Sequence, residues 1–307
     1  MPQNTTTTAA RFDSEGAIFM AASRDPVGCN VGLFGVPYDG TSSFRPGSRF
    51  GPVAIRDVSN GLETYCPQLD LDLEEIAFTD LGALDIPCGD PKPVVEAVKK
   101  ATQNVLKMGL RPLMLGGEHS ISSGAVAAIT ELHSDLVLLQ LDAHADLRQE
   151  YLGAQHSHAC AMRRCLEVLP STQLLQLAIR SGTRAEFQEL HDQQRLVNHN
   201  PGQAATELAN ALAPHQGKPI YLTVDLDWFD PSVLPGTGTP EPGGFLWRDF
   251  AAVVDVLRQH QLVGADVVEL APQLDPSGMS SVLGAKVTRS LLMLLSLSAA
   301  TEQKRAP

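Results

Sequence analysis

Three short stretches of this chain, residues 112–115, 136–141 and 220–224, are almost wholly apolar, and each ends in acidic or imidazole side chains. A strand buried on both faces reads as such an uninterrupted run, whereas a half-exposed strand alternates. Further runs at 31–36, 76–80, 174–179, 196–197 and 265–270 are predicted as strands on the same ground. Helical patterning fills the intervals, near 92–109, 122–133, 159–168, 184–193, 203–213 and 248–260. Strands alternating with helices predict an α/β fold with a parallel sheet covered on both sides. Ligands of such sheets gather at the carboxyl ends of the strands.

Those ends carry the chemistry. Asp142, His144 and Asp146 occupy alternate positions after the second run, Asp225 and Asp227 close the third, and His119 follows the first in a Gly116-Gly117-Glu118-His119 turn. Alternate residues of an extended segment share a face, so each group can converge on a point. Four aspartates and two histidines buried together are stable only when paired or bound to metal. Six mixed oxygen and nitrogen ligands suit a pair of divalent ions. The reading is a binuclear metallohydrolase. The glycine pair ahead of a helix resembles a phosphate loop, but no P-loop lysine follows, so it is read as a tight turn presenting His119.

Composition narrows the class. With 43% apolar and 19% charged residues, the 307-residue chain can bury a large core. A formal charge of -12 disfavours nucleic acid and anionic membranes as partners. Cysteines 29, 66, 88, 160 and 165 are odd in number and show no C-x-x-C spacing, which suits a reducing cytoplasm. No signal-peptide pattern opens the chain. The apolar patch at 291–295 is too short to span a bilayer and is expected in a packed terminal helix. The expected organisation is a flexible tail at 1–24, one domain over 25–299 and a short tail at 300–307. The breaker-rich stretch 235–244 directly follows the Asp225/Asp227 strand end, so it is read as an active-site loop, not a linker.

Longer blocks resemble the ureohydrolases, the arginase and agmatinase family. They are Gly116-Gly117-Glu118-His119-Ser120, Asp142-Ala143-His144-Ala145-Asp146, Ser157-His158-Ala159 and the stretch from Thr223 to Pro231, followed by Pro235 to Glu241. The likeness runs from about Gly35 to Ala271, nearly the whole ordered chain. It implies a three-layer α/β/α domain with a mostly parallel eight-stranded sheet, two Mn²⁺ ions per chain (nickel or cobalt being alternatives), a small guanidino substrate, and a homotrimer or homohexamer. One ion would be held by His119, Asp142, Asp146 and Asp225. The other would be held by Asp142, His144, Asp225 and Asp227, with Asp142 and Asp225 bridging. Glu269 would orient the guanidinium, Asp146 would accept a hydrogen bond from the nucleophile, and His158 would protonate the leaving amine. His156 is the decoy two residues earlier, and His133, His191, His199, His215 and His260 have no motif around them.

Arginases typically place an asparagine two residues after the last aspartate of the first metal motif and a serine four before the loop histidine. Here those positions hold Arg148 and Ala154, which points away from L-arginine and toward agmatine. Arg148 itself suits an acid-tailed compound such as 4-guanidinobutyrate, and guanidine remains a further alternative. A non-catalytic protein on the same fold would be expected to have lost some of these residues, and all are present.

Overall fold

The computed structural model describes residues 11–13, 15–87, 89–197 and 200–305. His199, Cys88 and the threonine tract at 5–8 lie outside the described residues. In chain order the elements are β1 (Phe12–Asp13), β2 (Val31–Val36), α1 (Gly51–Ser59), β3 (Tyr65–Cys66), β4 (Leu71–Asp72), β5 (Phe78–Leu84), α2 (Pro91–Lys107), β6 (Arg111–Gly116) and α3 (Ser122–Thr130). They continue with β7 (Val137–Leu141), α4 (Ala161–Cys165), β8 (Leu174–Leu177), α5 (Arg184–Asp192), α6 (Ala204–Leu212), β9 (Pro219–Asp225), α7 (Trp247–Leu257), β10 (Gln261–Val268) and α8 (Met279–Arg305).

Eight strands form one sheet in the order β1-β5-β2-β6-β10-β9-β7-β8, antiparallel only between β1 and β5. The pleat sends alternate side chains to two cores. Leu113, Leu115, Val137, Leu139 and Leu141 join Ile55 of α1 and the apolar faces of α6, α7 and α8. Met114 and Leu138 face the other way, onto Val94 and Val98 of α2, Ile129 of α3 and Met162 of α4. Helices thus cover both faces, and this is why the strand runs are continuous and not alternating. The three-layer α/β/α architecture is the one expected.

Membership of the sheet differs at one strand. Residues 196–197 make only a bridge, Leu196 against Gln176, because two apolar residues give the chain too little to bury before it turns away. The eighth place belongs to β1, inside the segment expected to be a flexible tail to residue 24. There the polar composition conceals three anchors. Phe12 packs edge-on to Phe34 at 5.7 Å, Phe19 packs edge-on to Phe78, and Phe19 and Met20 are buried. The Phe19 N–H donates to Asp80 Oδ2 at 2.9 Å, and the same carboxylate receives the Arg56 guanidinium through two 2.8 Å bonds.

Helix α1 was not anticipated, since its buried face is built from Gly51, Pro52, Ile55, Arg56 and Ser59 instead of an apolar stripe. At the other end, α8 runs on to Arg305, past the tail expected from residue 300. Its stretch 279–300 is apolar and long enough to span a bilayer, but 72% of its apolar window is buried inside the fold, as befits a core helix.

Candidate metal centre and active site

Neighbouring strands β6, β10, β9 and β7 end side by side, and each delivers part of the site. His119 comes from the turn after β6. Gly117 allows that turn, since a Cβ there would lie 1.8 Å from the Tyr38 carbonyl oxygen. Asp142 follows β7 directly, Asp225 ends β9 and Asp227 stands in the tight turn after it, while Glu269 follows β10. Asp146 and Glu269 adopt φ values of 53° and 66°, a left-handed conformation that costs a non-glycine residue roughly 1–2 kcal/mol. Backbone bonds hold both: the Glu269 N–H donates to Gly117 O at 2.8 Å, and the Asp146 carbonyl accepts from the Arg163 N–H at 3.1 Å.

The side chains form two triads that share Asp142. One is His119, Asp142 and Asp225, and the other is Asp142, His144 and Asp227. His119 Nδ1 lies 3.0, 3.1 and 3.3 Å from carboxylate oxygens of Asp142, Asp146 and Asp225. His144 Nδ1 lies 2.8 Å from Asp227 Oδ2 and 3.7 Å from Asp142 Oδ1.

His119 shows that the set fits a cation. Its Nε2 is 2.8 Å from Thr223 Oγ1, whose own hydrogen goes to Asp266 Oδ1 at 2.5 Å. Thr223 must therefore accept from Nε2–H, which leaves Nδ1 as a bare lone pair in the neutral ring. That atom is buried with no hydrogen-bond partner, yet it faces three carboxylates. A lone pair aimed at anions is repelled unless a proton or a metal cation lies between them. The donor set, imidazole with carboxylates, suits a divalent ion of the manganese, nickel or cobalt kind.

Without metal the electrostatics are tense. Burial pushes Asp225 well above the usual carboxylate range, and the charges of Asp227 and Asp142 push it further. Burial, then Asp142, raises Asp146 to about 6. Burial and Glu118 raise Glu269. For His119 burial works against the charged ring, but the surrounding aspartates outweigh it and hold the pKa well above normal. For His144 burial is likewise overcome, by Asp227 and Asp142, and the value rises to about 12. In the metal-free protein the two protonated imidazoles offset part of the carboxylate charge.

A cavity of about 210 Å³ opens onto these groups and is lined also by His158, Glu269, Arg148, Tyr151, Ser43 and Thr239. His158 is pushed down to about 4, by burial and then by His144 and His119. His156, His133, His191, His215 and His260 are absent from the lining. All eight residues expected to serve the site come together. The breaker-rich stretch closes over it: Thr239 Oγ1 reaches Asp227 Oδ2 at 3.4 Å, and Arg180 donates to the Asp227 and Glu241 carbonyls.

Some supporting residues had no role that could be read from the sequence. Thr223 and Asp266, which orient His119, sit inside apolar strands. Glu118 is fully buried, and burial pushes it up to about 7 against bonds from Ser120 and Thr41. Its place in the glycine turn was visible, its role was not.

Comparison with known proteins agrees with this geometry. Residues 29–294 match the Arginase family. The agmatinase of Halalkalibacterium halodurans is 36% identical over 287 residues, which are 92% of this chain and 99% of that protein. The crystal structure of a putative agmatinase from Clostridium difficile superposes with a TM-score of 0.82 at 38% identity, covering 87% of this chain and 97% of that one. Proclavaminate amidino hydrolase from Streptomyces clavuligerus gives a TM-score of 0.83 at 28% identity, over 92% and 97% of the two chains. With a paired imidazole–carboxylate centre at the carboxyl edge of an arginase-type sheet, this chain belongs to the arginase family.

Proposed function

We propose that the protein is a binuclear-manganese agmatinase, hydrolysing agmatine to putrescine and urea. The observation that carries the reading is the pair of triads sharing Asp142, opening onto one cavity with Glu269 and His158. His119, Asp142, Asp146 and Asp225 would hold one ion, and Asp142, His144, Asp225 and Asp227 the other. When bound, such a pair lowers the pKa of water toward neutrality and so supplies the nucleophile.

The chain's own residues do the rest. Glu269, fixed by the His119 N–H on Oε1 at 2.7 Å, presents its other oxygen to the guanidinium and holds the planar carbon for attack. Asp146 accepts a hydrogen bond from the nucleophile. Collapse of the tetrahedral intermediate requires the departing amine to take a proton, and His158 delivers it. The relatives named as agmatinases support agmatine as substrate, as does the absence of the arginase-type asparagine and serine at Arg148 and Ala154.

A second reading is favoured by Arg148. Its guanidinium lies 4.6 Å over the Tyr151 ring at the cavity, and no ion pair holds it among the described residues. A carboxylate tail would find a partner there, so a guanidino acid such as 4-guanidinobutyrate is the competing substrate. Urea release from agmatine, L-arginine, 4-guanidinobutyrate and guanidine, measured side by side on Mn²⁺-reconstituted protein, separates the readings. Dominant turnover of agmatine is expected. Dominant turnover of the acid would replace it, and silence on all four with metal bound would refute both.

A further inference from the structure

We infer that Glu118 and Thr41 form a relay that fixes the tautomer and orientation of His158. They are positioning residues: they act through His158, not on the substrate. The inference rests on the reading that His158 carries the proton in the reaction.

Hydrogen accounting makes the argument. Three donors converge on the Glu118 carboxylate: the Thr41 N–H on Oε2 at 2.6 Å, the Thr41 hydroxyl on Oε1 at 2.5 Å, and the Ser120 hydroxyl on Oε1 at 2.6 Å. Thr41 has one hydroxyl hydrogen, and the short bond to Glu118 uses it. Its lone pairs are then what remains to face His158. One accepts the His158 N–H at 3.0 Å, and the other meets His158 Nδ1 at 3.1 Å. A lone pair opposite Nδ1 requires hydrogen on Nδ1. The Ser157 hydroxyl, 3.4 Å from the same nitrogen, is a more distant partner.

The consequence falls on the other side of the ring. With Nδ1 committed, Nε2 is the nitrogen that gains and loses the travelling proton. It lies 3.4 Å from the Ser43 hydroxyl, and Ser43 and His158 line the same cavity as Glu269. This arrangement performs the task of a carboxylate bonded directly to a catalytic histidine, with one hydroxyl interposed. The ring is held from behind by a backbone bond and a side-chain bond to the same threonine, while the edge-on Tyr151 ring, 5.9 Å between centroids, packs beside it.

The segment around Thr41 gains a purpose from this. Gly117 lets the β6 turn approach Tyr38 closely, the Glu118 N–H donates to Tyr38 O at 2.7 Å, and Glu118 reaches Thr41 three residues further along. One turn therefore presents His119 to the metal centre and Glu118 to Thr41, which holds the proton carrier. The two halves of the site are set from the same backbone.

The test compares Thr41→Val, Thr41→Ser, Glu118→Gln and His158→Asn in the Mn²⁺-loaded enzyme, using whichever guanidino compound the wild type turns over fastest. Thr41→Val keeps the side chain's volume but removes the hydroxyl, and kcat should fall by about 10- to 100-fold, in line with misplaced proton-transfer groups. KM and metal content should stay within about threefold, since neither metal ligands nor Glu269 change. Thr41→Ser restores the hydroxyl and should recover kcat to within about threefold of wild type. Glu118→Gln places a donor against the threonine hydroxyl, turns its hydrogen toward Nδ1 and should lower kcat at least as far as Thr41→Val. If His158→Asn loses activity while Thr41→Val retains it, the relay is wrong and the proton carrier stands. If Thr41→Ser is as impaired as Thr41→Val, packing explains the loss and the relay is again wrong. Full activity in His158→Asn would overturn both the proton carrier and the relay.

Discussion

Removing the metals should reverse the pH dependence of stability, and the protonation of the centre sets the size of the effect. His119 is held well above, and His144 at about 12 against, an ordinary value of 6.5. A raised histidine contributes stability fully below its unfolded pKa and loses it as pH climbs toward the folded one. Asp146, raised to about 6 from 3.8, acts with the same sign at lower pH, because the folded state holds a proton that the unfolded chain has released. His158, lowered to about 4, has the opposite sign, but only between that value and its unfolded 6.5. At pH 6.5 the unfolded ring is still half protonated, so His158 offsets only about 0.4 kcal/mol at the start of a window from pH 6.5 to 8.5 and drops out above about pH 7.5.

In that window each proton retained by the folded protein alone costs about 1.4 kcal/mol of stability per pH unit. Retention of one net proton by the His119/His144 cluster therefore removes about 3 kcal/mol across the two pH units of the window. At about 2 °C per kcal/mol for a chain of this size, the melting temperature should fall by about 6 °C. Metal ions displace these protons, so the loaded protein should hold its melting temperature or gain as pH rises. Thermal melts at pH 6.5, 7.5 and 8.5, with chelator and with Mn²⁺, give the two curves. Calorimetric titration of Mn²⁺ in buffers of different ionisation enthalpy should report net proton release. A metal-free protein whose melting temperature is level or rising over this range, parallel to the loaded one, would refute the claim that imidazolium replaces the cations.

Thr223→Val would strand the His119 Nε2–H and free the ring to turn, so metal affinity should drop about 10- to 100-fold with the fold intact, as read by metal titration. Asp80→Ala leaves the buried Arg56 guanidinium unpaired and removes the acceptor of the Phe19 N–H, so stability should fall by about 3–5 kcal/mol in urea unfolding, with faster proteolysis between residues 11 and 24.

The candidate metal ligands were legible because chemistry, not packing, dictates them. Charged side chains at the ends of continuous apolar runs have few stable explanations, and the parallel sheet places those ends together without needing any loop to be known. The scaffold around them was legible only where it used a regular period. Helices α2, α3, α5, α6 and α7 announced themselves within a few residues of their ends. Helix α1 did not, because Arg56 sits where an apolar residue would mark the core, and its partner Asp80 lies on strand β5. The same holds for β1, two residues long, whose anchors Phe12 and Phe19 each find a ring far along the chain.

The outer residues of the site were the least legible, and their chemistry explains it. Thr223 and Asp266 lie within strands β9 and β10, where a buried threonine or aspartate reads as a blemish in an apolar run until its neighbour across the sheet is known. Thr223 pairs with Asp266 in the β9–β10 register, and the hydrogen bond to His119 completes a line that crosses β6, β9 and β10. Glu118 and Thr41 are farther apart still, separated by 77 positions. Each forms its decisive bonds to one residue that no spacing rule connects to it. What a sequence declares is the residue that must face the metal or the substrate. What it withholds is the residue that decides which atom of a histidine does the facing, since that depends on where a single hydroxyl hydrogen points.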